Sequence, residues 1–152
     1  MDYDVLNACS PYSSQVLPFC IRDLLSRIFD RRSTTARIRK MNGFHLEVLK
    51  KTPFRDVAIY NGNNLFMYAR TIAPKMTQEA LKGIYHFERP SPIGDFLFHS
   101  PAVKRGPVDL QLQWHAPDWL SDYETQTRLY SVRQTHWYYQ KVYLIELIEV
   151  FV

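Results

Sequence analysis

The chain has 152 residues, 46% hydrophobic and 22% charged, a size and composition that fit one globular domain and exclude both a disordered chain and two sizeable cores. Its two cysteines, Cys9 and Cys20, form no C-x-x-C pair and no Cys/His group stands at metal spacing. A disulfide scaffold and a zinc site are therefore set aside, and a reducing, cytoplasmic location is expected. Nineteen Lys and Arg against fifteen Asp and Glu leave a net charge of +4, which would suit an anionic metabolite or a nucleic acid and selects neither.

The first residues carry acids in place of a basic leader, and no apolar run is long enough to cross a bilayer, so neither export nor membrane insertion is expected. Residues 16–29 space Leu17, Ile21, Leu24, Leu25 and Ile28 at helical intervals, with Pro18 tolerated in the first turn, which predicts an amphipathic helix. On either side of Asn42-Gly43, TARIRKMN and FHLEVLKK alternate or are β-branched and predict an antiparallel pair. A second hairpin is predicted over RDVAIYNGNNLFMYARTIAP, turning at Asn61-Gly62-Asn63-Asn64, residues that accept positive φ. Thr77 can cap a short helix over TQEALKGIYHF, and Pro90 or Pro92 breaks the chain before IGDFLFHS, so short helical pieces interrupt the sheet. From Val108, VDLQLQWH alternates again. After the loop APDWLSDYE, the run TRLYSVRQTHWYY turns at Gln140-Lys141 into VYLIELIEVFV. The expectation is a single α+β domain: an antiparallel sheet of six to seven strands, joined mostly by hairpins, with helices grouped on one face.

Much of the positive charge falls in one block, Arg27, Arg31, Arg32, Arg37, Arg39, Lys40, Lys50, Lys51 and Arg55, whose plainest reading is a solvated basic face. On the last strand Glu146 and Glu149 stand three apart, so regular alternation sends them to opposite faces. Glu146 shares its face with Leu144, Ile148 and Val150, the β-branched face expected to meet the helices. A carboxylate there needs a cation, a hydrogen-bond network or a raised pKa, which makes Glu146 the candidate functional acid. The competing reading is a structural salt bridge or an exposed strand edge. Arg55 opens one strand and Arg70 interrupts another, and either could clamp a carboxylate in bidentate fashion.

The five histidines, His45, His86, His99, His115 and His136, form no ligand pattern, and no G-x-S-x-G, Walker A or G-x-G-x-x-G word occurs. No metal or cofactor is expected. The aromatic run HWYYQKVYL could serve as a base-stacking platform, but alternating aromatics in a strand more often build a core.

Taken together, FRDVAIYNGNNLFMYARTIAP, SPIGDFLFHSP and QKVYLIELIEVF resemble the chorismate pyruvate-lyase family, which forms 4-hydroxybenzoate for ubiquinone biosynthesis. The family pattern is an arginine starting a strand, a strand ending A/G-R-T-x-x-P, then P-L-G-x-x-L-F, an R-R-S-like stretch and a last strand ending L-x-E-x-F. Here those words read Arg55, Ala69-Arg70-Thr71-Ile72-Ala73-Pro74, Pro92-Ile93-Gly94-Asp95-Phe96-Leu97-Phe98, Val132-Arg133-Gln134-Thr135 and Leu144-Ile145-Glu146-Leu147. The series runs over nearly the whole chain from about residue 20, and its order is more specific than any one word. The resemblance implies that Arg55 holds the ring carboxylate and that Glu146 hydrogen-bonds the ring hydroxyl. It also implies that backbone amides near Thr34 and Ile93 touch the ligand carboxylate beneath helical flaps, and that Arg70 binds the departing enolpyruvyl carboxylate. Thr34 stands where methionine is usual, Ile93 replaces leucine, and Gln134-Thr135 replaces R-S.

The activity so implied is elimination of pyruvate from chorismate without metal or redox cofactor, by a monomer that binds neither nucleic acid nor membrane. Arg55 anchors, Glu146 orients the C4 hydroxyl or acts as a base, and Arg70 favours charge on pyruvate. The rival is a non-catalytic effector-binding domain of the same fold. Such domains follow a winged helix, for which the stretch before residue 33 is short. A nucleic-acid-binding protein is a third reading.

Overall fold

Asn61-Gly62-Asn63-Asn64 sits between two apolar alternating runs, and the chain reverses there with Gly62 at φ 60°. The N–H of Gly62 donates to the carbonyl of Gly43 at 2.7 Å. Gly43 itself has φ 111°, and a Cβ there would lie 2.8 Å from the Gly62 nitrogen, so a side chain is excluded by both conformation and space.

The computed structural model describes residues 42–81, 92–139 and 142–152. In it, β1 (Phe44–Lys50), β2 (Arg55–Asn61), β3 (Asn64–Ile72), β4 (Val103–Gln113), β5 (Tyr130–Tyr139) and β6 (Val142–Phe151) form one antiparallel sheet in the order β1-β2-β3-β6-β5-β4. Each half is a three-strand meander, and the last strands of the two halves, β3 and β6, pair at the centre. Helices α1 (Lys75–Leu81) and α2 (Ile93–His99) lie in the connection between the halves, and a 3₁₀ turn, Asp118–Leu120, lies between β4 and β5.

The expected α+β class is therefore corrected. Strands account for more than half of the described residues, and the helices among them are two pieces of seven residues each, too short to form a layer. The described fold is nearly all-β. Pairing of the two meanders through β6 lets the sheet supply most of its own packing, and α2 adds only Ile93 and Leu97 to the core. The hairpins on Asn61–Asn64 and after Tyr139 occur where the alternation put them, whereas β4 begins at Val103, before Val108. The predicted helix over 16–29 and the strand before Asn42 lie outside the described residues, as does the end of the helix predicted over 77–87.

Both faces of the sheet are covered, which is why β2 reads as five buried residues in succession, Arg55 to Ile59. On the inner face Val57, Ile59, Met67, Ala69, Ile145, Leu147 and Phe151 pack with Ile93 and Leu97 of α2. On the outer face Ala58, Tyr68, Tyr130, Val132 and Val150 pack with Leu120 of the 3₁₀ turn. Arg70 lies on that outer face, where its Nε and Nη2 donate to the two carboxylate oxygens of Asp56 at 2.7 and 2.8 Å. Its guanidinium sits 4.8 Å from the Phe54 ring centre and 4.5 Å from that of Trp119. The aromatic planes shield a bidentate pair whose acid is fully buried.

Burial, followed by the nearby charge of Glu124, pushes the Tyr68 phenol up to about 12 from its usual 10. The folded state thus holds this proton more tightly than the unfolded chain. That contribution is complete below pH 10 and is lost as pH rises towards 12. Urea unfolding is expected to weaken over this interval, and Tyr68→Phe should make the loss less steep. An identical slope in that variant would assign the alkaline transition to other groups.

Candidate active site

The register brings Arg55 of β2, Thr71 of β3, Leu147 of β6 and Thr135 of β5 into one row across the inner face. The next row reads Val57, Ala69, Glu149 and Arg133. Because side chains alternate, all eight project to the same side of the sheet. Above them, between the sheet and the first turn of α2, lies a pocket of about 530 Å³ counted out to its mouth. Pro92, Ile93 and Gly94 form one wall and Leu46, Ile59 and Met67 another.

Four charged residues line this space: Arg55, Arg105, Arg133 and Glu149. Arg133 and Glu149 stand directly opposite each other on β5 and β6. The Arg133 Nε donates to Glu149 Oε2 at 2.6 Å and Nη2 to Oε1 at 2.8 Å, with both side chains buried. The Arg133 guanidinium also lies 5.3 Å from the centre of the Phe151 ring. Among the described residues, three arginines and one glutamate line a pocket whose other walls are mostly apolar. Such a site attracts an anion and gives it bidentate partners. Arg55 is 3% exposed, so it belongs to the pocket and not to the solvated basic face to which the charge pattern assigned it. Lys50 and Lys51 of the same block are exposed.

The far end of the pocket is polar in a second way. Thr135 and Trp137, successive inward residues of β5, are 1% and 3% exposed, yet the Thr135 Oγ1 and the Trp137 Nε1 have no hydrogen-bond partner among the described residues. Phe98 of α2 meets the Trp137 ring edge-on, with centroids 5.0 Å apart, and fixes the plane of the indole.

Of the residues singled out from sequence, the structure brings Arg55 and Ile93 to this pocket. Arg70 is on the opposite face, held by Asp56. Thr34 lies outside the described residues. Glu146 also faces away from the pocket. It is half-buried, accepts a hydrogen bond from the Gln134 side chain, and has its Oε2 3.9 Å from the Nε2 of His136. The acid at the pocket is Glu149. The reason is that β6 is covered on both sides, so its two residue sets are equally apolar and hydrophobicity does not tell them apart. A signal was nevertheless present: L-x-E-x-F fits Leu147-Ile148-Glu149-Val150-Phe151 in full, whereas Leu144–Leu147 lacks the aromatic residue. Arg105 carried no signal of its own, Thr135 fell in the R-R-S-like word and Trp137 in the aromatic run, and only strand pairing gathers the three.

Among the described residues no group of three or more His, Cys, Asp or Glu is placed to hold a metal ion, and no helix is long and apolar enough to cross a membrane. In comparisons with known proteins, neither a family model nor a curated sequence matches the chain.

Removing one member of a buried pair strands the other charge, whereas replacing both with apolar residues removes the problem. Glu149→Leu is expected to cost about 3–5 kcal/mol in urea unfolding, and the double variant Arg133→Met with Glu149→Leu to recover most of that loss. Additive losses in the double variant would show that the two groups are stabilised separately.

Proposed function

We propose that the chain is a chorismate pyruvate-lyase, a carbon–oxygen lyase that splits chorismate into 4-hydroxybenzoate and pyruvate. The observation that carries this reading is the buried Arg55 sharing a mostly apolar pocket with the Arg133-bound carboxylate of Glu149. Chorismate matches that arrangement group by group. It is a dianion with a flat ring, a carboxylate at one end of the ring and a hydroxyl at the other. A bidentate arginine suits the carboxylate, and an ionised acid accepts a hydrogen bond from the hydroxyl. The order of short motifs shared with the lyase family supports the same reading, with Glu149 taking the part first given to Glu146.

The reaction is an internal redistribution of bonds. The C3–O bond breaks, the C4–H electron pair becomes a ring double bond, and the proton ends on the methylene carbon of the departing enolpyruvyl group, which becomes the methyl of pyruvate. No external oxidant or reductant is consumed. The protein's work is to hold the reactive conformer and to stabilise charge on the ether oxygen as the bond opens. Arg55 anchors the ring carboxylate, Glu149 orients the C4 hydroxyl, and the walls from β1–β3 and α2 keep water away from the ring. Arg133 holds the Glu149 carboxylate in place through two hydrogen bonds. Glu146 and Arg70, on the other face, take no part.

Purified protein incubated with chorismate and followed by chromatography should yield 4-hydroxybenzoate and pyruvate in equal amounts. Loss of a bidentate anchor is worth roughly a hundredfold in kcat/KM, so Arg55→Gln should fall by that order, while Glu146→Gln stays within about twofold of the parent. Unchanged chorismate would sink the lyase reading. Binding of 4-hydroxybenzoate without turnover would select an effector-binding domain instead.

A further inference from the structure

We infer that Arg105, Thr135 and Trp137 form a second carboxylate subsite at the β4–β5 end of the pocket, which holds the enolpyruvyl group of the substrate and then the pyruvate that leaves. The inference rests on the lyase reading above and assigns a part of the substrate that neither Arg55 nor Glu149 accounts for. Arg70, the arginine that the motif series offered for this task, is on the opposite face of the sheet.

The argument begins from strand order. Moving across the inner face from β2, the residues meet a ligand in the sequence Arg55, then Thr71 on β3, then Glu149 on β6, then Thr135 and Trp137 on β5. With neighbouring strands about 4.8 Å apart, Arg55 and Thr135 are separated by three spacings, roughly 14 Å between backbones, of which the arginine side chain covers a part. A ring whose carboxylate meets Arg55 and whose C4 hydroxyl meets Glu149 therefore lies over β3. The C3 substituent is adjacent to that hydroxyl, and past Glu149 the pocket is lined by Thr135 and Trp137 of β5 and by Arg105 of β4. Arg105 is paired in register with Trp137 and lines the same end.

The chemistry of that end suits a carboxylate and an ether oxygen gaining charge. The Trp137 Nε1 can only donate, and the Thr135 Oγ1 can donate or accept. Both atoms are fully buried, line a pocket, and have no hydrogen-bond partner among the described residues. Buried polar atoms are nearly always satisfied, so two on one strand at one pocket point to a ligand that supplies the missing acceptor. When the C3–O bond breaks and its electron pair moves onto the oxygen, an N–H and an O–H held in place by the sheet stabilise the resulting enolate without reorganising.

The test compares the parent protein with Thr135→Val and Trp137→Phe for chorismate turnover and for binding of 4-hydroxybenzoate, which keeps the ring, carboxylate and hydroxyl but lacks the enolpyruvyl group. Each variant should lose roughly tenfold in kcat/KM for chorismate, while its affinity for 4-hydroxybenzoate stays within about twofold. Thr135→Val, which removes a partnerless buried hydroxyl, should also raise Tm. Unchanged turnover, or equal loss for both ligands, overturns the subsite, and a lower Tm in Thr135→Val would assign the hydroxyl to holding the fold instead. Because Trp137 fills the core, a second measurement leaves it in place: the indole N–H resonances of ¹⁵N-labelled protein are followed while pyruvate is added. The Trp137 resonance should shift saturably in the parent and need more pyruvate in Thr135→Val; absence of any shift overturns the inference. An inactive protein whose Trp137 still responds to pyruvate would remove the lyase reading and keep the subsite, and an active protein with no response would do the reverse.

Discussion

The buried pair between Arg133 and Glu149 is the constraint on which the rest of this molecule turns. The two residues are directly opposed across β5 and β6, and they exchange two charge-assisted hydrogen bonds with almost no exposure to water. A slip of one residue in the β5–β6 register would send one partner to the other face and leave each charge desolvated and alone. The outer face carries an equivalent device in Asp56 and Arg70, directly opposed across β2 and β3. Each meander therefore has its register fixed by one ion pair, and the pairs face opposite ways. With both fixed, the alternation of every central strand follows, including which acid of β6 reaches the pocket.

The parts of this fold that were legible in the sequence are those that depend on neighbours along the chain. The β2–β3 reversal needs only glycine and asparagine at Asn61–Asn64 between apolar runs, and the β5–β6 hairpin needs only two alternating stretches with a polar turn. Sheet order was not legible, because insertion of β6 between β3 and β5 depends on contacts between residues some eighty positions apart, such as Ala69 and Glu149. The near absence of described helix follows from the same pairing. Two three-strand meanders joined at their last strands make one six-stranded sheet, which among the described residues α2 meets on one face and the Asp118–Leu120 turn on the other. The candidate site was half legible: Arg55 stood out as a cation opening an apolar strand, but choosing between Glu146 and Glu149 required knowing that Leu147 and Ile148 are both in protein surroundings. Periodicity identifies a face only where the other one meets water.

The pocket's charge has a direct energetic meaning. A guanidinium in a pocket walled mostly by apolar side chains needs partners, and arginines gathered there suit a ligand that brings negative charge. Arg55 and Arg105 line the pocket from β2 and β4, on either side of the central strands β3, β6 and β5.

The site also holds the Thr135 Oγ1 and the Trp137 Nε1, buried polar atoms with no hydrogen-bond partner among the described residues. An unmade hydrogen bond in a buried place costs about 1–3 kcal/mol. A domain of this size has little stability to spare, so side chains selected for packing alone would be apolar at both positions. Their retention makes sense if the cost falls on the empty state and is recovered when a ligand oxygen arrives. Binding then satisfies donors that are already oriented by a rigid sheet, with no side-chain entropy left to lose. In the proposed lyase reaction, donors fixed before the bond breaks would favour the charged product of that step over the uncharged ether that precedes it.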